Sequence, residues 1–213
     1  MADLANALVS RGHEVHAAVR PRSPLIRELH GLSQHNVTTL PLRNSLDAIS
    51  AHKLALYVRE HEIQIVHAHM ARDYPLAAYA TRRNGGSRLI VTRHVLFPLN
   101  PLHSVTLSHA ARVIAVSTAV QRALTAQQLL PAKRIVVIPN GIAVARFDGA
   151  RSQSDQSDFR RLWNIPSDAV LIGTVGEITP LKGHAEFLRA AALVFAATSR
   201  NSISYSRFRR VTR

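Results

Sequence analysis

Short apolar runs recur along the first 140 residues, and longer amphipathic stretches separate them. The runs at 14–20, 37–42, 63–69, 88–94, 112–117 and 134–139 are rich in Val and Ile and bounded by turn-forming residues, which is the pattern of strands. The intervening stretches, such as 45–61 and 117–130, are long enough for helices. Each opens on a serine, Ser45 or Ser117, suited to cap a helix. Strand and helix in alternation predict a parallel sheet covered on both faces. The predicted fold class is therefore α/β, a Rossmann-like doubly wound parallel sheet, followed by an incomplete second α/β domain.

The first element breaks the rhythm. Residues 2–12 read as a helix closed by Gly12, and no strand precedes it. Doubly wound domains ordinarily begin with a strand at the centre of the sheet. The expectation is thus a first domain, residues 1–147, that lacks its first strand. Residues 148–159 are rich in Ser, Asp and Gln and read as a linker or exposed loop, so 148–165 is assigned to a linker and the start of a second domain. Within 166–197 a strand at 169–176 and a helix from Lys182 to about Ala197 form a single βα unit. Residues 198–213 hold five arginines and no acid, and are expected to be a disordered basic tail.

Composition narrows the classes. With 46% hydrophobic residues the 213-residue chain can bury a core. It has no cysteine, which excludes disulfides and thiolate sites. No apolar run reaches the roughly 18 residues of a membrane span, and the start lacks the pattern of a signal peptide. A cytoplasmic location follows as the default. Lys+Arg 27 against Asp+Glu 13 gives a net charge of +14, which favours anionic partners of any kind.

Three motifs carry candidate chemistry. The stretch Val175-Gly176-Glu177-Ile178-Thr179-Pro180-Leu181-Lys182-Gly183 joins the last strand to its helix. Thr179 suits the N-cap and Pro180 the first helical position, which would put a helix mouth beside Lys182 to hold a phosphate. Gly176 would let a ligand approach the backbone. An ordinary βα turn with a surface lysine explains the same residues about as well. His67 and His69 alternate on one strand and so share a face, and His94 ends the next strand. Strand carboxyl ends face the ligand crevice of such sheets. Packing explains His67 best, and His94 is the better candidate to orient or polarise a substrate hydroxyl. No third ligand falls at metal spacing, so no metal site is expected. Asn140-Gly141 ends the last strand of the first domain and permits a positive φ and a sharp turn.

Together the blocks at 4–20, 65–70, 92–94, 111–124, 133–147 and 175–194 resemble, in order and spacing, the GT-B glycosyltransferases related to family 4. The resemblance implies two Rossmann-like halves facing across a cleft. It implies transfer of a sugar from a nucleotide-sugar donor to a glycan or lipid acceptor, retaining the anomeric configuration and without a metal or other cofactor. By position His94 matches the family's active-site histidine, Lys182 the lysine that neutralises the donor diphosphate, and Gly176 the glycine before it. Glu177 stands where many members carry arginine. His69, Asn140 and Gly141 are further candidates for the cleft. The resemblance also implies a chain truncated at both ends and catalytically incomplete by itself, with peripheral contact to an anionic membrane. Two readings compete: a basic protein that binds nucleic acid or anionic surfaces without catalysis, and an inert gene remnant. Few aromatics and no helix-turn-helix pattern weigh against nucleic acid.

Overall fold

The structure, a computed structural model, describes residues 1–142, 144 and 153–198, with the side chains of 153–157, 197 and 198 left out. The chain divides into two units, residues 1–142 and 143–213. The tail at 199–213 lies outside the described residues, as do 148–152 of the stretch read as a linker.

In the first unit α1 (Ala2–Ser10) leads to β1 (Ala17–Val19), α2 (Leu25–Glu28), β2 (Val37–Thr39) and α3 (Ala48–Glu60). Then come β3 (Ile65–Ala68), α4 (Tyr74–Asn84), β4 (Arg88–Arg93), α5 (His103–Leu107), β5 (Ala110–Ala115), α6 (Thr118–Ala126) and β6 (Ile135–Val137). All ladders are parallel. β1 pairs with β2, and β3-β4-β5-β6 form a separate four-stranded sheet in chain order. Each of the six strands falls within an apolar run or overlaps it, and the α/β Rossmann-like class holds.

A row of small and branched residues sets the register of the larger sheet. Ala68, Val91, Val113 and Ile135 stand side by side across its four strands, and all are buried. The fully buried Tyr74 and Leu107 from α4 and α5, with Val120 and Leu124 from α6, pack on the same core. On the opposite face Ile90, Ile114 and Val136 are only half-buried, so this face is covered less completely than the sequence suggests.

β1 and β3 lack a ladder between them, and side chains tie each end of β1 to other segments. At the amino end of β1, His16 Nδ1 lies 2.8 Å from Tyr57 Oη of α3, and its ring lies 4.8 Å from that of His61. At the carboxyl end, Arg20 donates from Nε and Nη2 to the carbonyl of Leu42, at 3.0 and 2.6 Å. The helices α3 and α4 then close over Leu40, Leu42 and Ala51.

Helix ends correct the sequence reading in detail. Asp47, not Ser45, caps α3: its Oδ1 accepts from Ser50 N at 3.0 Å and its Oδ2 from Arg43 N at 3.0 Å. A carboxylate accepting two backbone donors outcompetes a hydroxyl two residues earlier. Ser117 does cap α6, accepting from Val120 N. Gly12 at φ 84° ends α1 with the paired bonds Gly12 N to Val9 O and His13 N to Leu8 O, the closure that needs a left-handed residue.

The second unit departs further. A helix, α7 (Gln153–Leu162), occupies part of the stretch read as a linker. Its ring pair Phe159–Trp163 and the ion pair Arg161–Asp158 at 2.8 Å give a polar segment helical support. The strand expected at 169–176 is absent. Val170, Ile172 and Val175 are exposed, and among the described residues no strand pairs with them. A parallel strand exists only through its neighbours, so an apolar run without one stays an extended loop. The helix expected from Lys182 is α8 (His184–Thr198), and a 3-10 turn, Pro180–Lys182, precedes it. Gly183 at φ 67° separates the two, so Thr179 opens the turn and does not cap α8.

The Asp47 cap gives acid sensitivity a definite window. Hydrogen bonds from Arg43 N and Ser50 N lower its pKa from 3.8 to about 2. Unfolded Asp47 therefore binds its proton first, and the stability it adds is present above pH 4 and lost as the pH falls to 2. Urea unfolding of Asp47→Asn should be flatter between pH 4 and pH 2 than that of the parent chain. Equal slopes would count against the cap.

Candidate functional site

The carboxyl ends of β3 and β4 collect the chemistry of the first unit. Register pairs Ala68 with Val91, so His69 and His94 emerge just beyond neighbouring strand ends. His94 Nε2 lies 3.3 Å from His69 Nδ1. The rings of His67 and His69 lie 4.1 Å apart, and His67 Nε2 is 2.7 Å from Thr92 Oγ1. His94 is exposed, while His67 and His69 are half-buried.

The surroundings of all three imidazoles favour the neutral form. Burial lowers the pKa of His67, and the neighbouring His94 adds to it. Burial, then His67 and His94, push His69 down to about 3. His94 is lowered by burial first, then by the N-terminal amine and Arg93. None of these influences is a carboxylate. The arrangement suits hydrogen bonding to a neutral polar ligand rather than pairing with an anion.

Residues that the sequence reading passed over hold the loop after His94. Tyr74, fully buried, donates its hydroxyl to the carbonyl of Thr92 at 2.8 Å. Arg93, also buried, donates to the carbonyl of Phe97 and so ties down the turn that follows His94. Arg72 Nε and Asp73 Oδ1 pair at 3.4 Å just beyond His69, and burial raises the Asp73 pKa against the pull of Arg72 and Arg20. The Tyr74-Pro75 helix start was the one sequence signal for this support, and it pointed to a helix rather than a site.

Asn140 and Gly141 follow β6 at the same edge of the sheet and are exposed. Neither takes the positive φ expected of the pair. A cavity of about 240 Å³ lies elsewhere, between Ser45, Leu46 and Asp47 before α3 and Pro75, Leu76 and Tyr79 of α4.

In the second unit Gly176, Glu177, Lys182 and His184 lie together. His184 Nε2 donates to the carbonyl of Glu177 at 3.0 Å. A Cβ on Gly176 would meet His184 at 3.7 Å and Lys182 at 3.8 Å, which is ordinary contact, so the glycine is not demanded by local packing. Lys182 and Glu177 are both exposed, and they form no ion pair. Lys182 lies ahead of α8 instead of inside its first turn, and His184 was not anticipated.

A model of Glycosyltransferase Family 4 matches residues 1–146, which include every element from α1 to β6. The chain belongs to glycosyltransferase family 4. The match takes in His67, His69, His94, Asn140 and Gly141 and stops short of Gly176, Glu177 and Lys182. The crystal structure of a glycosyltransferase from Rickettsia africae ESF-5 is similar, with a TM-score of 0.74 and 20% identity, over 90% of this chain and 52% of that one. This family 4 chain thus spans about half the length of that neighbour, and the likeness carries the fold alone. None of the curated proteins matches it. Among the described residues, no group of three or more potential ligands is arranged to hold a metal ion.

The histidines of this family 4 chain make it acid-labile well above the Asp47 window. Unfolded His69 takes up its proton near pH 6.5 and folded His69 only near pH 3, so acid favours the unfolded chain throughout that interval. Stability should be greatest above pH 6.5 and fall as the pH drops toward 3. His69→Phe should reduce the slope by about one bound proton, measured by urea unfolding across the interval. An unchanged slope would show that His69 titrates alike in both states.

Proposed function

We propose that this chain acts in transfer of a sugar, of the hexose class, from a nucleotide-sugar donor to a glycan or lipid acceptor. The reaction retains the anomeric configuration and uses no metal, and the nucleotide-sugar is a substrate rather than a cofactor. The observation that carries the reading is the exposed imidazole of His94 at the carboxyl edge of a parallel sheet, 3.3 Å from His69, in a chain of glycosyltransferase family 4. Open α/β sheets bind ligands at that edge.

In this reading His94 meets the transferred sugar and Lys182 the donor's diphosphate. Charge grows on the leaving oxygens as the sugar departs, so a fixed ammonium stabilises the transition state more than the ground state. Among the described residues Lys182 has no carboxylate partner that would neutralise it first. In the same reading Glu177 accepts from a sugar hydroxyl, Gly176 leaves the backbone open beside Lys182, and His69, Asn140 and Gly141 are assigned to the cleft.

The +14 charge suits a cytoplasmic protein that touches an anionic bilayer peripherally, rather than one that binds nucleic acid. No helix among the described residues is long and apolar enough to cross a membrane.

Calorimetric titration with uridine, guanosine and adenosine diphosphates tests the donor side. Lys182→Ala should weaken diphosphate binding about tenfold, about 1.4 kcal/mol, and leave monophosphate binding nearly unchanged. Equal affinity for diphosphate in both chains would remove Lys182 from its role. Transfer that survives chelator and gives product of the donor's anomeric configuration would complete the assignment.

A further inference from the structure

The family reading uses one imidazole at the β3–β4 edge, but the structure holds three in mutual contact. A hydrogen bond between two neutral imidazoles needs one protonated and one bare nitrogen. The 3.3 Å contact between His94 Nε2 and His69 Nδ1 therefore fixes both rings at once.

Two arrangements satisfy it. In the first, His94 carries its proton on Nε2 and donates to His69 Nδ1, and His69 keeps its own proton on Nε2. In the second, His69 donates from Nδ1, which leaves His94 with its proton on Nδ1. A free neutral imidazole side chain prefers the Nε2 proton. The first arrangement gives both rings the preferred tautomer, and the second gives both rings the other one.

The surroundings do not reverse this preference. The groups facing the pair are His67 from β3, Thr92 and Arg93 from β4, and the amine of Met1. None of the charged groups among them is an anion that would draw a proton onto Nδ1 of His94. His67 packs against His69 at a 32° tilt and is anchored to the Thr92 hydroxyl, which limits the room for His69 to turn. Nδ1 of His94 makes no hydrogen bond among the described residues, and the ring is exposed.

We propose that His69 is a positioning residue: it accepts the Nε2 proton of His94 and so presents the bare Nδ1 of His94 as a hydrogen-bond acceptor for a sugar hydroxyl. The catalytic meaning rests on the reading of His94 given above, but the proton assignment stands without it. A bare ring nitrogen welcomes an O–H donor. It repels a phosphate oxygen, which brings only lone pairs. The same nitrogen would thus select the sugar over the diphosphate and fix which group of the donor enters this edge. His67 supports the device through its packing and carries no proton to the substrate.

The test is a long-range proton–nitrogen correlation spectrum of the full chain labelled with ¹⁵N-histidine, at neutral pH. His94 should show a protonated Nε2 and a bare Nδ1. His69→Phe removes the acceptor, and His94 should become a mixture of tautomers. His69→Asn, whose side-chain carbonyl can replace Nδ1 as acceptor, should restore the single tautomer. A His94 proton on Nδ1 in the parent chain would overturn the proposal, and so would an unaltered His94 spectrum in a folded His69→Phe chain. If that variant fails to fold, the parent spectrum decides. The spectra need no sugar donor. Failure of the functional reading would look different: His94 signals of the predicted tautomer that nucleotide-sugars do not move.

Discussion

The register between β3 and β4 is the constraint on which the candidate chemistry depends. Pairing Ala68 with Val91 puts the apolar row into the core and brings His69 within hydrogen-bond reach of His94. Side chains alternate along a strand, so a slip of one residue would turn the buried row outward and part the two rings. The same ladder that supplies the core's apolar contacts therefore sets the geometry of the imidazoles. Tyr74 joins the two roles, since its ring lies in the core and its hydroxyl holds the Thr92 carbonyl two residues before His94.

The first unit is held together in two ways. The four-stranded sheet relies on backbone ladders and the helices α4 to α6. The β1–β2 pair has its own parallel ladder and packs on α3 and α4 through Leu40, Leu42 and Ala51. Side chains add ties at its ends, His16 to Tyr57 of α3 and Arg20 to the Leu42 carbonyl, each worth about 1 kcal/mol.

How far the sequence reveals this depends on the range of the interaction. Strand positions from β1 to β6 were legible because apolar runs bounded by breakers are a local signal. The cap at Ser117 was legible for the same reason. Asp47 was missed because it and Ser45 both fit a cap, and only the fold shows which one reaches Ser50 N. The run at 169–176 has the composition of a strand, but pairing is not a local property. The break at Gly183 was hidden by the Thr179-Pro180 start, which suits an α-helix and a 3-10 turn equally. At the site, the period of two placed His67 and His69 on one face, and the carboxyl-edge rule singled out His94. That shared edge also implied that the three histidines stand near one another, as they do; which ring atoms meet rests on a register between residues 25 apart. Arg93 and His184 were passed over because their partners are backbone carbonyls, which a sequence does not display.

The loop from Val170 to Val175 has a colloidal consequence. An exposed run of branched apolar residues with no strand partner is the kind of segment through which separate chains associate. Like molecules carrying +14 repel one another, but that repulsion reaches only about 10 Å at 0.1 M salt. Ionic strength thus decides whether neighbouring copies approach closely enough for these runs to meet, and dilute buffer is the medium that keeps them apart.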